Sequence, residues 1–327
     1  APPPALPPGR KGSVNSMAFS LKDINYRTVA DPAEFMAECD ERYAGKIRSA
    51  ADMITQNLSI SPIVLLSGPS GSGKTTTAQK IEEELTKRGV RTYTISMDNY
   101  FRTVDPATAP RTKEGAIDFE SPLCMDMDLL NEHFTKLARG ERILVPKYEF
   151  ARQMRVLEPS KSLKLRKDEI VIFEGIHALN DDITSKHPEA FKLYISARSN
   201  VEFSGKVVFK GTWMRLVRRT VRDKLFRAYD PANTIAMWAN VRRGEKLYIS
   251  PFKNKANLML DTALEYELPV MNHIATELFS SIPEGIERYD ELKTVLPALQ
   301  LFGHIDNDLV APDSLVREFI GGGIYEQ

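Results

Sequence analysis

A chain of 327 residues, 42% hydrophobic and 27% charged, is long enough to bury a large core as one big domain with appendages or as two domains. Its 44 basic and 44 acidic residues cancel, so no global charge draws it to nucleic acid or to a membrane surface, and any basic site must be local. Two distant cysteines, Cys39 and Cys124, make no disulfide framework and read as buried small hydrophobes in a reducing, cytoplasmic setting. No apolar run approaches the roughly 18 residues of a membrane helix.

The opening "APPPALPPGRKGSVNS" has no apolar signal core and does not begin with Met. Residues 1–20 therefore read as a disordered proline-rich tail, a segment foreign to the native chain, or the cut edge of a longer protein. Residues 21–60 read as a helical segment. In "DPAEFMAECDERYAGKIRSAADMITQNL", Asp31 is an N-cap and Pro32 a first helical residue, followed by apolar positions at helical spacing. One long helix or two short ones should precede the first strand.

From residue 61 to 280 the pattern alternates. The apolar run Ile63–Leu66 is followed by a helix over 74–88. The strands "RTYTISM", "EIVIFEG" (169–175), "FKLYISA" (191–197) and "NLMLDTA" (257–263) come later, with helical stretches between several of them. Short apolar strands alternating with helices predict an α/β fold, a doubly wound and mainly parallel sheet covered on both faces. Ligands of such sheets sit at the carboxyl ends of the strands. Residues 281–327 read as a helical extension with a glycine-rich stop at "GGG". It could pack on the sheet, close a homo-oligomer or dock a partner domain.

The stretch "IVLLSGPSGSGKTTTAQKI" fits G-x-x-x-x-G-K-[ST], with a strand before it and a helix after it. Gly68, Gly71 and Gly73 free the backbone to turn successive N–H groups inward around an anion at a helix N-terminus. The expected seat of a nucleotide's phosphates is Gly68, Ser70, Gly71, Ser72, Gly73, Lys74, Thr75 and Thr76. Lys74 would reach the β- and γ-phosphates and the Thr75 hydroxyl would meet a magnesium ion.

Two carboxylates, Asp98 in "YTISMDNYF" and Glu174 in "IVIFEGIHAL", end apolar strands. A carboxylate there is costly unless a positive charge meets it, which Lys74 and magnesium would supply. In "RLVRRTVRDKLFR" the residues Arg215, Arg218, Arg219 and Arg222 recur at helical spacing, with Val217, Val221 and Leu225 as an apolar stripe on a different face. That arrangement predicts an arginine-rich lid over 215–230 that closes on the phosphates and excludes water. The lack of interleaved exposed aromatics argues against nucleic acid. His177 reads as a packed residue, and the serines and histidines form no nucleophile–base pattern.

In order and rough spacing, "GPSGSGKTT", "MDNYF", "IDFESP", "VPKYEF…R", "FEGI" and "RRTVRD" resemble the uridine kinase and phosphoribulokinase family of P-loop kinases over about 60–280. Residues after the lid and the ending "PDSLVREFIGGG" resemble a bacterial-type uridine-kinase-like subgroup. The resemblance implies ATP and magnesium as cofactors and a small-molecule acceptor, most naturally the 5'-hydroxyl of uridine or cytidine. It makes Asp98 the catalytic base, with Lys74 and the lid residue Arg222 on the transferring phosphates. Glu174 and Thr75 fall on the magnesium side. Glu120 and Arg219 fall on the acceptor's ribose, Tyr148 and Phe150 beside the pyrimidine, and Arg155 within the same acceptor motif. Gln153 stands where uridine kinases carry a histidine that reads the base edge, and Glu120 where they carry an aspartate. Both departures touch only the acceptor side, leaving open another sugar, a sugar phosphate or a polyol as acceptor, or an ATP-binding regulator without transfer. A GTPase would want N-K-x-D, and "NKAN" at 254–257 lacks the aspartate.

Overall fold

The computed structural model describes residues 18–149, 152–286 and 289–325; most of the proline-rich start, and Phe150, lie outside them. In chain order come β1 (Phe19–Ser20), α1 (Leu21–Ala30), α2 (Pro32–Asn57), β2 (Ile63–Ser67), α3 (Lys74–Lys87), β3 (Thr92–Ser96), α4 (Met127–Ala138), β4 (Ile143–Glu149) and β5 (Met154–Leu163). There follow β6 (Ile170–Glu174), α5 (Asp181–Thr184), β7 (Phe191–Ser196), β8 (Val201–Phe203), β9 (Lys206–Phe209), α6 (Gly211–Arg227), α7 (Pro231–Gly244), β10 (Leu258–Asp261), α8 (Glu267–Ser280), α9 (Tyr289–Leu299) and α10 (Arg317–Ile320). No helix among the described residues is long and apolar enough to cross a membrane.

The five strands expected from the sequence form one parallel sheet in the order β3-β6-β2-β7-β10. Their apolar runs are explained by cover on both faces, and successive residues alternate between the two. Val64, Leu66, Ile170, Ile172, Leu193 and Ile195 join a core shared with α2, α3, α6 and α8. Ile63, Leu65, Val171, Phe173 and Tyr194 face the opposite core, which α4 completes. The loop-bearing strand β2 is central, flanked by β6 and β7, so the chain leaves it in both directions and opens a crevice at its carboxyl end.

Asp31 does cap α2, its side chain accepting from the Glu34 N–H at 2.9 Å, with Pro32 in the first turn. The buried face of α2 runs Phe35, Cys39, Tyr43, Ile47, Ala50 and Ile54. Tyr43 ties it to the loop helix, its hydroxyl 2.7 Å from Thr77 Oγ1. Both cysteines are free and buried.

Two small antiparallel elements escape the sequence pattern. In β4–β5 each strand contains a proline, and the register shifts between Val145 and Lys147, around Pro146; prolines remove ladder donors and disguise an edge strand as a loop. The short β8–β9 hairpin pairs with β1.

The arginine helix corrects an expectation. Arg215 and Arg218, at 1% and 0% exposure, are among the most buried side chains, while Leu225 is 44% exposed. Arginines and core therefore share a face over the first turns of α6, and only the end of the 215–230 stretch is free to act as a lid. Arg218 is met by Glu267 at the start of α8, with Nε–Oε2 at 2.5 Å and Nη2–Oε1 at 3.0 Å. Removing one member of such a pair strands a buried charge, at a cost of about 3–5 kcal/mol. Glu267→Ala should lower unfolding stability by that order in a urea melt.

Candidate active site

Between β2 and α3 the chain turns at Gly71 and Gly73 with φ of 73° and 78°, backbone that favours glycine. Space is equally restrictive, since a Cβ on Gly68 would stand 2.3 Å from the Ile195 carbonyl oxygen. Ser72 is fully buried and its hydroxyl has no partner. Gly73 brings no capping side chain to α3, so the first-turn N–H groups are left to another anion. These features fit a phosphate cradle.

Lys74, Asp98 and Glu174 come together at the ends of three neighbouring strands. Lys74 Nζ lies 3.3 Å from the Pro69 carbonyl. Its pKa is lowered by burial, against the opposing pull of Glu174 and Asp98. Asp98 stands in the 3-10 turn Met97–Tyr100 that ends β3, its N–H donating to Ser96 Oγ at 3.3 Å. Burial raises its pKa, and Lys74, Arg227 and Arg222 counter that rise. Glu174 closes β6 and is pushed up to about 7 by burial and by Asp98. Thr75 sits in the first turn of α3, half-buried. No group of three or more His, Cys, Asp or Glu side chains among the described residues is arranged to hold a metal. Magnesium needs no such cage, because it binds through one or two protein oxygens together with substrate phosphates. The hydroxyl of Thr75 and the carboxylate of Glu174 are oxygen donors of that kind.

The second half of α6 supplies positive charge from two half-buried arginines. Arg219 Nη1 donates to Ser70 Oγ at 2.8 Å, and Arg222 pairs with Asp223 at 2.7 Å. Asp223 is buried and also pairs with Arg219 at 3.2 Å. Burial raises the pKa of Glu120, and the charge of Arg219 opposes that rise. Thr76 is buried, and its N–H donates to Glu318 Oε2 at 3.2 Å.

The acceptor side departs further from expectation. A cavity of about 480 Å³ is lined by Phe101, Phe119, Tyr148, Leu123 and Met125 among others, the first of them three residues after Asp98 in the chain. The rings of Phe101 and Tyr148 lie 5.6 Å apart. Gln153 does not line it: the residue is exposed at the β4–β5 turn with φ of 50°, and its carbonyl accepts from the Val104 N–H at 3.0 Å. Arg155 is turned inward, donating to Asp126 at 2.9 Å and to the Tyr100 carbonyl at 3.0 Å, so it braces the Asp98 turn instead of offering its head to a ligand. Phe150 lies outside the described residues. His177 is fully buried, with its pKa lowered to about 4 by burial, the packed residue anticipated from the sequence.

Strand order, glycine-rich turn and the acids at neighbouring strand ends define an α/β protein of the P-loop class. The description "Phosphoribulokinase / Uridine kinase family" matches residues 63–268, and the chain belongs to that family of kinases. A uridine kinase of Saccharomyces cerevisiae is 28% identical over 221 residues, 66% of this chain but 40% of the yeast protein. One from Deinococcus deserti is 27% identical over 203 residues, 62% of this chain and 88% of its own length. Among solved structures, a provisionally assigned fructose transport system kinase from Silicibacter sp. TM1040 is 16% identical, covers 65% of this chain and 98% of that one, and has a TM-score of 0.48.

Several site residues carried no signal in the sequence. Asp118 is buried between Tyr248, whose hydroxyl donates at 3.0 Å, and Arg243 at 2.7 Å. It fixes the turn that presents Glu120. Gly244 packs on Glu120 so closely that a Cβ would stand 2.4 Å from the glutamate's Cβ. These contacts join residues over 120 positions apart, beyond any local pattern.

Burial pushes the Glu120 carboxyl up to about 7 from 4.5, with Asp118 adding to the rise and Arg219 opposing it. The folded carboxyl holds its proton more tightly than the unfolded one, so its contribution to stability is full below about 4.5 and is lost as pH rises through about 7. Glu120→Gln cannot ionise. Its thermal midpoint relative to the wild type should therefore rise between about pH 5 and pH 8, and parallel profiles for the two proteins would refute the assignment.

Proposed function

We propose that the chain transfers the γ-phosphoryl group of ATP to a hydroxyl of a small molecule, with the 5'-hydroxyl of a pyrimidine nucleoside as the favoured acceptor. One observation carries this: Lys74, Asp98 and Glu174 act on one another at the ends of adjacent strands, at the mouth of a glycine-rich turn suited to phosphate. The uridine kinases it resembles support the acceptor class.

Catalysis here is mainly alignment and charge neutralisation. The N–H groups of the loop grip the phosphates, and Lys74 follows the γ-phosphoryl into the transition state. Bound magnesium, held by Thr75 and Glu174, would neutralise phosphate charge. Asp98 accepts the proton of the attacking hydroxyl, which needs only hydrogen-bond reach and no raised pKa. Glu120, with Arg219 beside it, grips the acceptor's neighbouring hydroxyls. Arg222, half-buried in the last turns of α6 beside Asp223, meets the phosphates, and the 215–230 lid is confined to those turns. The 61–280 unit carries all of this chemistry.

The exposed Gln153 favours one alternative, a non-nucleoside acceptor such as a sugar or polyol, because nothing of that side chain lines the cavity. A transfer screen over nucleosides, pentose phosphates and polyols, with ATP and GTP, decides between them. Turnover of uridine or cytidine at rates no better than the polyols would end the nucleoside assignment and leave the kinase assignment standing.

Lys74→Ala should cut turnover by about 10²–10³, the scale of a lost transition-state charge; more than about a tenth of wild-type activity remaining would remove the loop from the mechanism. Asp98→Asn should lower kcat comparably yet leave ATP affinity within a few-fold, since it faces the acceptor. On the acceptor side, Phe119 is 44% exposed in the cavity wall and would be covered by a bound base, so Phe119→Ala should lower kcat/KM for uridine by about tenfold or more. Gln153→Leu should change it by less than about threefold, consistent with an exposed side chain.

A further inference from the structure

The ending "PDSLVREFIGGG" has no part in the chemistry above, yet it lies on the phosphate loop. Leu315, Val316 and Phe319 are fully buried. The Ser314 hydroxyl is 2.5 Å from that of Tyr266, and the Arg218 guanidinium sits 4.8 Å above the Phe319 ring. Leu315 fills the space beside Gly73, where a Cβ would stand 2.7 Å from its Cδ1. The backbone of this segment is therefore pinned. Glu318 is different: it is only half-buried, and its side chain leaves the segment to reach the loop helix.

What it reaches matters. The Thr77 N–H already donates to the Gly73 carbonyl at 3.0 Å. The N–H groups of Lys74, Thr75 and Thr76 open α3 and have no acceptor within the helix. Those are the groups a bound phosphate uses, and Glu318 Oε2 holds one of them, Thr76, at 3.2 Å. Glu318 also acts on the same Lys74 that a phosphate would meet, favouring its charged form. A carboxylate oxygen and a phosphate oxygen cannot share the Thr76 N–H at that distance.

We propose that Glu318 is a built-in competitor of the nucleotide. With the loop empty, its carboxylate occupies the Thr76 N–H and compensates the helix N-terminus and Lys74; when a nucleotide phosphate arrives, the side chain must swing into solvent. The inference rests on the phosphate-binding role of the loop proposed above. It requires no movement of the pinned backbone. The swing lowers the apparent affinity by the fraction of molecules whose loop is unblocked. The family's transfer chemistry does not use this residue, so its effect should fall on binding and not on the chemical step.

The test compares MgATP binding by titration calorimetry for the wild type, Glu318→Gln and Glu318→Ala, alongside thermal midpoints without nucleotide. Glu318→Ala should bind MgATP tighter, by about fivefold to twentyfold, and Glu318→Gln, whose amide oxygen can still accept from the Thr76 N–H but carries no charge, tighter by a smaller factor, each with kcat changed less than about twofold. The nucleotide-free midpoint should fall. Opposite signs in the two readouts are the signature, since a merely structural role would lower stability and affinity together. Unchanged or weaker binding in both variants would overturn the proposal. Should either variant fail to fold, Glu318→Asp keeps the charge but shortens the reach, and it should tighten binding to a smaller extent. Absence of MgATP binding in wild type and variants alike would sink the loop assignment and this inference with it, whereas wild-type binding without tightening would sink only the inference.

Discussion

If the N–H groups of a phosphate loop are to point inward, its carbonyls must point outward, and most of those need donors from side chains because the regular helix and strand ladders do not reach them. That constraint organises the protein. The Ser70 carbonyl accepts from Arg215 Nη1 at 3.1 Å and the Gly71 carbonyl from Arg218 Nη1 at 3.2 Å. The Ser72 carbonyl accepts from the Thr262 hydroxyl at 2.7 Å, and the Gly73 carbonyl from the Thr77 hydroxyl at 2.6 Å. Four successive carbonyls are thus held from α6, from the end of β10 and from α3. The loop's shape is a tertiary property, assembled from residues as far as 190 positions away in the chain.

Burying two guanidiniums to do this creates a second requirement. Each needs an anion, because an unpaired buried charge costs several kcal/mol. Glu245 meets Arg215 at 2.8 Å, and Glu267 meets Arg218 on two oxygens. Glu267 in turn accepts from the Leu264 N–H at 2.9 Å, which fixes the turn from β10 into α8. The same helix therefore does two jobs. Its first turns are a neutralised brace for the loop, and its last turns keep Arg222 and Arg227 close enough to act on Asp98.

This division explains what the sequence could and could not disclose. The five parallel strands were legible because each is a short apolar run with a helix beside it, and the loop because glycine, lysine and threonine spacing is a local property. Asp31 and Pro32 marked the start of α2 for the same reason. Arginine spacing on α6, however, is identical for a solvated lid and for a buried brace. Only the partners Glu245 and Glu267, 30 and 49 positions away, distinguish the two. The β4–β5 hairpin was hidden by Pro146 and Pro159, and the inward turn of Arg155 by Asp126, 29 positions earlier. Long-range polar pairing is the common element in what stayed hidden.

The donor and acceptor halves are also built from different materials. Lys74, Asp98 and Glu174 issue from the ends of three adjacent strands, the central β2 and β6 and the edge strand β3, so their mutual placement is set by the paired ladders of one sheet. Phe101, Phe119 and Tyr148 come instead from loops and from a two-stranded hairpin whose ladder is broken at Pro146. Loops tolerate substitution far better than packed strands. A site of this construction can keep its transfer chemistry while the acceptor changes, and the two departures of this chain, Glu120 and Gln153, both fall in the tolerant half. Glu120 nonetheless remains tied to the donor half through Arg219 and the close approach of Gly244. Its extra methylene is accommodated by a glycine that leaves room for it. In the proposed site the end that would grip hydroxyls is therefore anchored, and the end that would contact the rest of the acceptor is the part free to diverge.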